Sequence, residues 1–92
     1  MRRAIKIGCH EYEVQEVECV NKYETRNGEI DHIQRVIKID KGLKDDDKRE
    51  VLLHEIIHGL EEFMVLNLEE DDVTRLAKGL WMVLKDNPGL FR

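Results

Sequence analysis

Ninety-two residues, 41% of them hydrophobic, can bury one modest core and no more, so residues 1–92 read as a single domain. Twenty Asp and Glu outweigh fifteen Lys and Arg to leave a net charge of −5, and neither sign gathers into a stripe that could follow a phosphate backbone, which argues against nucleic acid as a direct partner. No stretch approaches the roughly 20 apolar residues that cross a bilayer, so no membrane partner is expected.

The start, Met1-Arg2-Arg3-Ala4-Ile5-Lys6, carries early positive charge, but Lys6 and Gly8 interrupt it before an apolar run of signal-peptide length; a cytoplasmic protein is the expectation. Cys9 and Cys19 are the only cysteines. One such pair in a core-forming chain is a poor disulfide framework, and both are expected to be reduced, buried strand residues. A ligand set of these two with His10 would lack the paired short spacing of zinc fingers.

From Ala4 to Val20 the pattern favours strands. Ile5 and Ile7 alternate with Lys6, and Tyr12, Val14 and, after a break in phase, Val17 recur among Glu and Gln, which predicts two short strands around the turn Gly8-Cys9-His10. Asn27-Gly28 is a strong local turn signal, and Val36, Ile37 and Ile39 predict another strand after it. The expected result is a small, mostly antiparallel sheet of about three strands within residues 1–40, with Asn21 to Asp31 as an exposed connection. Lys41-Gly42-Leu43 ends the sheet, and Asp45, Asp46 and Asp47 offer an N-cap and negative charge at the positive end of a helix dipole. Leu52, Leu53, Ile56, Ile57, Leu60, Phe63 and Met64 then follow helical spacing and predict a core-facing helix over 45–66. Asn67 breaks it. Val73, Leu76, Ala77, Leu80, Trp81 and Leu84 predict a second amphipathic helix over 68–86, stopped by Asp86-Asn87-Pro88-Gly89. The fold class expected is α+β, a small sheet followed by two packed helices.

The first helix carries His54-Glu55-Ile56-Ile57-His58. Two His residues at i and i+4 share a helix face, close enough for both imidazoles to reach one Zn²⁺ at about 2.0–2.1 Å. Glu55 leans into the same pocket from the side, where it can take a proton from a metal-bound water and return it to a leaving amine. The bland alternative is a pair of surface histidines flanking an ordinary exposed Glu. Chance places the pattern somewhere in roughly 2% of shuffled chains of this composition, and its position inside a helix raises its weight.

A catalytic zinc needs a third protein ligand and an open position. Glu61 and Met64 stand where a metzincin would have Gly and His, which excludes that class. A carboxylate from the next helix is the natural source. Glu70 lies three residues before Val73 and seven before Ala77, and Glu69 lies four before Val73, so both continue the inward stripe; Asp71 and Asp72 look like solvated first-turn acids. Glu70 is the expected third ligand, with Glu69 and then Asp71 as substitutes. His32, Tyr12, Tyr23 and His10 are candidates to steady a developing oxyanion, with His32 foremost and no spacing argument for any. Trp81 is expected in the core.

His54-Glu55-Ile56-Ile57-His58 followed by Glu70-Asp71-Asp72-Val73 resembles the HExxH then ExxA arrangement of gluzincin metallopeptidases, and among them looks most like the small phage-encoded and ImmA/IrrE-like group. Leu52-Leu53-His54-Glu55 and Leu76-Ala77-Lys78-Gly79-Leu80 extend the likeness over Leu52 to Pro88. The resemblance implies a reduced zincin core with His54, His58 and Glu70 as zinc ligands and Glu55 as general base and acid. It departs at Val73, where the pattern has Ala. It also implies that the strand around Gln34 to Ile39 is an edge pairing with an extended peptide substrate.

Two functions follow as expectations. One is a minimal zinc peptidase acting on a peptide or protein, in which 92 residues leave little protein for a second cleft wall, so that specificity comes from a partner, a homodimer or the exposure of the site. The other is a catalytically weak or inactive zinc-binding regulatory protein of phage origin. A fourth protein ligand such as Cys9 or His10 would favour the second, and an open metal position the first.

Overall fold

A computed structural model describes residues 3–92; Met1 and Arg2, which begin the charged start, lie outside the described residues. Strands β1 (Ala4–Ile7), β2 (His10–Val17), β3 (Gly28–Asp31) and β4 (Val36–Asp40) precede helices α1 (Asp45–Met64) and α2 (Glu70–Asp86). The fold is α+β, one sheet followed by two packed helices, as the patterning predicts. The helices fall close to their expected bounds.

The sheet has one strand more than expected and is mixed. Its order is β1-β2-β4-β3, with β2 and β4 parallel and both outer pairs antiparallel. Gly8, at φ 63°, turns β1 into β2 in a left-handed conformation that glycine adopts without steric cost. The added strand is β3, in the stretch expected to be a connection. Asn27-Gly28 does not make the turn: Asn27 C=O accepts the Asp40 N–H at 2.8 Å and Gly28 begins the strand. The turn comes four residues later. Asp31 Oδ1 accepts the N–H groups of Ile33 and Gln34, both at 2.9 Å, an Asx turn, and Arg35 at φ 58° closes it.

This topology moves the open edge. β4 is flanked by β2 and β3, so residues 36–40 have no free edge for a peptide, and the outer strands are β3 on that side and β1 on the other. Since paired residues alternate in an antiparallel ladder and Asn27 bonds inward to β4, the peptide groups of Gly28 and Ile30 face the free side.

One sheet face carries Ile7, Tyr12, Val14, Ile37 and Ile39, all buried, against Val51, Leu52 and Ile56 of α1. The opposite face, with Glu11, Glu13, Lys38 and Glu29, is polar, as expected of a sheet covered on one side. Gly28 lets β3 lie under α1, because a Cβ there would collide with Val51. Turned about one residue further, α1 presents Leu53 and Ile57 to Val73, Ala77 and Leu68 in a second small core.

The three aspartates do not cap α1. Lys44 holds the N-cap position without a side-chain bond, and Asp45, Asp46 and Asp47 occupy the first turn, where they oppose the helix dipole. At the far end Phe63 and Met64, expected in the core, are 54% and 57% exposed, because the sheet and α2 cover only the earlier turns. Val65 ends the helix at φ 55° with its N–H on Glu61 C=O, a left-handed cap made by a β-branched residue. Among the described residues no helix is long and apolar enough to cross a membrane.

Ile37, fully buried at the sheet centre, should lose about 2–5 kcal/mol of stability as Ile37→Ala in urea unfolding. Ile33 in the β3–β4 turn is 91% exposed, and Ile33→Ala should stay within about 0.5 kcal/mol of the parent.

Candidate metal centre

The i, i+4 spacing does on α1 what it predicts. His54 Nε2 and His58 Nε2 stand 3.1 Å apart on one face. Glu70, first residue of α2, faces both: Oε1 is 2.7 Å from His54 Nε2 and Oε2 is 3.1 Å from His58 Nε2. Among the described residues, His54, His58 and Glu70 are the one group of His, Cys, Asp or Glu donors close enough to share an ion. A tetrahedral Zn²⁺ with ligands at about 2.0–2.1 Å sets its donor atoms about 3.3 Å apart. The spacing and the donor types fit that ion.

Of the three acids weighed for the third position, the structure brings Glu70 to the histidines and leaves Glu69 and Asp71 outside the group. Glu69 is the N-cap of α2, and its carbonyl takes the N–H groups of Asp72 and Val73. Val73, the departure from the ExxA pattern, is fully buried against α1, so it holds Glu70 one turn earlier toward the histidines.

Glu61 is a site residue that the motif does not name. Its Oε1 is 2.7 Å from His58 Nδ1, and its Oε2 accepts the Leu68 N–H at 2.9 Å. The Leu68 N–H first, and the His58 imidazole after it, hold the Glu61 carboxyl below the usual range. A proton on Nδ1 shared with Glu61 leaves His58 Nε2 bare and aimed at the metal position, the usual arrangement behind a metal-bound imidazole. The signal was present in the spacing, because a residue three after His58 lies beside it on the helix; position 61 draws notice in the sequence only for not being Gly.

Glu55 leans from the same arc of α1 toward β3, where its Oε2 lies 3.1 Å from the place a Cβ on Gly28 would occupy. It is 6% exposed, the one buried charged side chain among the described residues. Burial first, then the charges of Glu70 and Glu29, push its pKa up to about 7 against the opposing pull of His58 and Arg26. A carboxyl poised there can both take and return a proton near neutral pH. A cleft of about 670 Å³ runs between residues 26–30 and the two helices, with His54, Glu55, His58 and Glu70 in its wall.

None of the four residues expected to steady an oxyanion lines this cleft. Tyr12 is buried in the sheet core with its hydroxyl 3.2 Å from His32 Nδ1. His10 lies at the β1–β2 turn near Cys9 and Arg35, and Tyr23 is 86% exposed. The side-chain donors that line the cleft besides the histidines are Arg26, Asn27, Thr74 and Lys78, with Arg26 paired to Glu24 and Glu29 and Lys78 to Glu50. Cys9 and Cys19 are free thiols as expected, but both are exposed, Cys9 in the β1–β2 turn and Cys19 in the irregular segment after β2, rather than buried in strands. Trp81 is half-buried, with the Arg49 guanidinium 5.4 Å above its ring.

Glu55 binds its proton more tightly folded than unfolded, so the native state holds more protons between pH 4.5 and about 7. The stability of the metal-free protein should therefore fall as pH rises through that window. Glu55→Gln should flatten this slope and stabilise the metal-free protein at pH 8 by up to about 3 kcal/mol, read by chemical denaturation.

Comparison of the chain with protein-family models, with curated proteins and with solved structures finds no match in any of the three.

Proposed function

We propose that the chain is a zinc-dependent peptidase of reduced gluzincin type. The observation that carries this is the meeting of His54, His58 and Glu70 beside a buried Glu55. A purely structural metal site has no use for that fourth group. Two further features support it. Neither Cys9 nor His10 joins the donor group, so three protein ligands leave a position for water or substrate. The motif's resemblance to the ImmA/IrrE-like peptidases assigns the same roles to the same residues.

His54 and His58 would hold the ion through Nε2, and Glu70 through its carboxylate. When bound, Zn²⁺ supplies Lewis acidity, bringing a water's pKa to near 7 and polarising a substrate carbonyl. Glu55 takes the proton of the attacking water and delivers it to the departing amine. The substrate is an extended peptide lying along the free edge of β3, where Gly28 and Ile30 offer main-chain donors and acceptors. Asn27, Arg26, Thr74 and Lys78, which line the same cleft, are the donors available to the oxyanion. With no helix to span a membrane among the described residues and free thiols at Cys9 and Cys19, the protein works in the cytoplasm on a peptide or protein substrate.

Elemental analysis of protein purified without chelator should find about one zinc per chain, sharply reduced in Glu70→Ala. Glu55→Gln should keep its zinc and lose about 10²–10⁴-fold in peptide hydrolysis. A wild-type chain without tightly held metal would sink the proposal.

Glu61→Gln can still accept from the Leu68 N–H but not from His58 Nδ1–H as well, and Glu61→Ala loses both. Zinc affinity by chelator competition should weaken about 10–100-fold in each. Melting of the metal-free protein should drop clearly only in Glu61→Ala.

A further inference from the structure

The cleft continues past the donor group toward the start of α1. The two helices run antiparallel there, since Lys78 and Lys85 of α2 reach back to Glu50 and Asp46 of α1. Glu50 stands one turn before His54, and Lys78 stands two turns after Glu70, so each helix brings one charged side chain to the same level of the cleft. Lys78 Nζ lies 2.9 Å from Glu50 Oε2. Val51 and Ala77, their neighbours in the chain, line the cleft beside them and give this end an apolar floor. Neither the donor group nor Glu55 uses this part of the cleft.

The two members of the pair differ in their surroundings. The Glu50 side chain is 30% exposed, whereas that of Lys78 is 61% exposed and reaches over from solvent. The carboxylate belongs to the cleft wall, and the ammonium is its removable counterion. Glu50 first, and Asp47 after it, push the Lys78 pKa up, so this end of the cleft favours a cation. An ion pair this exposed adds little to stability. A different ammonium or guanidinium therefore replaces Lys78 at little cost, with its aliphatic stem laid on Val51 and Ala77. The net charge of −5 favours the approach of a basic peptide. Along α1 the four residues from Glu50 to His54 rise about 6 Å, and an extended peptide advances about 3.3 Å per residue. The carboxylate thus lies about two residues from a bond held at the donor group.

Resting on the peptidase reading, we propose that Glu50 is a specificity-determining residue that seats a Lys or Arg side chain of the substrate about two residues from the scissile bond, and that Lys78 occupies the seat when no substrate is bound.

The test measures binding apart from hydrolysis. Fluorescent Ala-based peptides with a single central Lys, norleucine or Glu are titrated against the Glu55→Gln protein with zinc supplied, and anisotropy is read. Norleucine keeps the stem of lysine without its charge. The Lys peptide should bind about 10-fold tighter than the norleucine peptide, and the Glu peptide should bind weakest. Adding Glu50→Gln should bring the ratio of Lys to norleucine affinity close to one. Adding Lys78→Glu instead should raise that ratio, a gain that misfolding does not imitate. A ratio near one with Glu50 in place overturns the proposal, as does a ratio that survives Glu50→Gln or a failure of every peptide to bind. Cleavage of the same peptides by the wild type is scored separately. Selective binding without cleavage removes the peptidase and keeps the seat, whereas cleavage without selectivity keeps the peptidase and removes the seat.

Discussion

Everything in this molecule depends on α1 serving two partners at once. Leu52 and Ile56 go to the sheet, Leu53 and Ile57 go to α2, and adjacent residues on a helix point about 100° apart. The arc left between those two contacts looks into the groove between β3 and α2. His54, Glu55 and His58 occupy it. The motif therefore does not sit on an exposed helix face; it sits in the one direction from which both a strand edge and a second helix can be reached. This geometry also accounts for the burial of Glu55 under β3 while His54 and His58 stay partly open on the α2 side.

The second structural requirement is that α2 arrive at the right height. Glu70 is the first residue of that helix, so its place depends on a connection of only a few residues. Glu61 controls that connection from inside α1. Its carbonyl takes the N–H groups of Val65 and Leu66, and its carboxylate takes that of Leu68. The same carboxylate holds His58, so one side chain orients a donor of the candidate group on the first helix and anchors the approach to Glu70 on the second. Holding a valine at φ 55° costs roughly 1–2 kcal/mol, which these bonds help to offset.

Legibility in the sequence followed the range of the interactions. The helices could be read because apolar spacing and a stop at Asn87-Pro88 are local, and His54, Glu55 and His58 could be placed because their geometry lies within one and a half turns. Glu70 was legible through the register of Val73 and Ala77. β3 was not. It contains one apolar residue, Ile30, behind a dipeptide that favours turns, and it is a strand only because β4 pairs with it and Val51 covers Gly28. The parallel pairing of β2 with β4 was equally hidden, since the segment between them holds a strand and not the usual crossover helix. Once β3 takes the outer place, the edge expected at residues 34–39 disappears. The oxyanion candidates had no spacing to place them, and the fold sends all four elsewhere.

The donors His54, His58 and Glu70 fall within one helix hairpin, while the sheet must join strands from opposite ends of an 18-residue detour between β2 and β4. Contacts close in sequence form early and distant ones late. A cation captured by the hairpin would thus act on a unit that can assemble before the sheet closes, and the metal would influence the order of folding as well as the stability of its product.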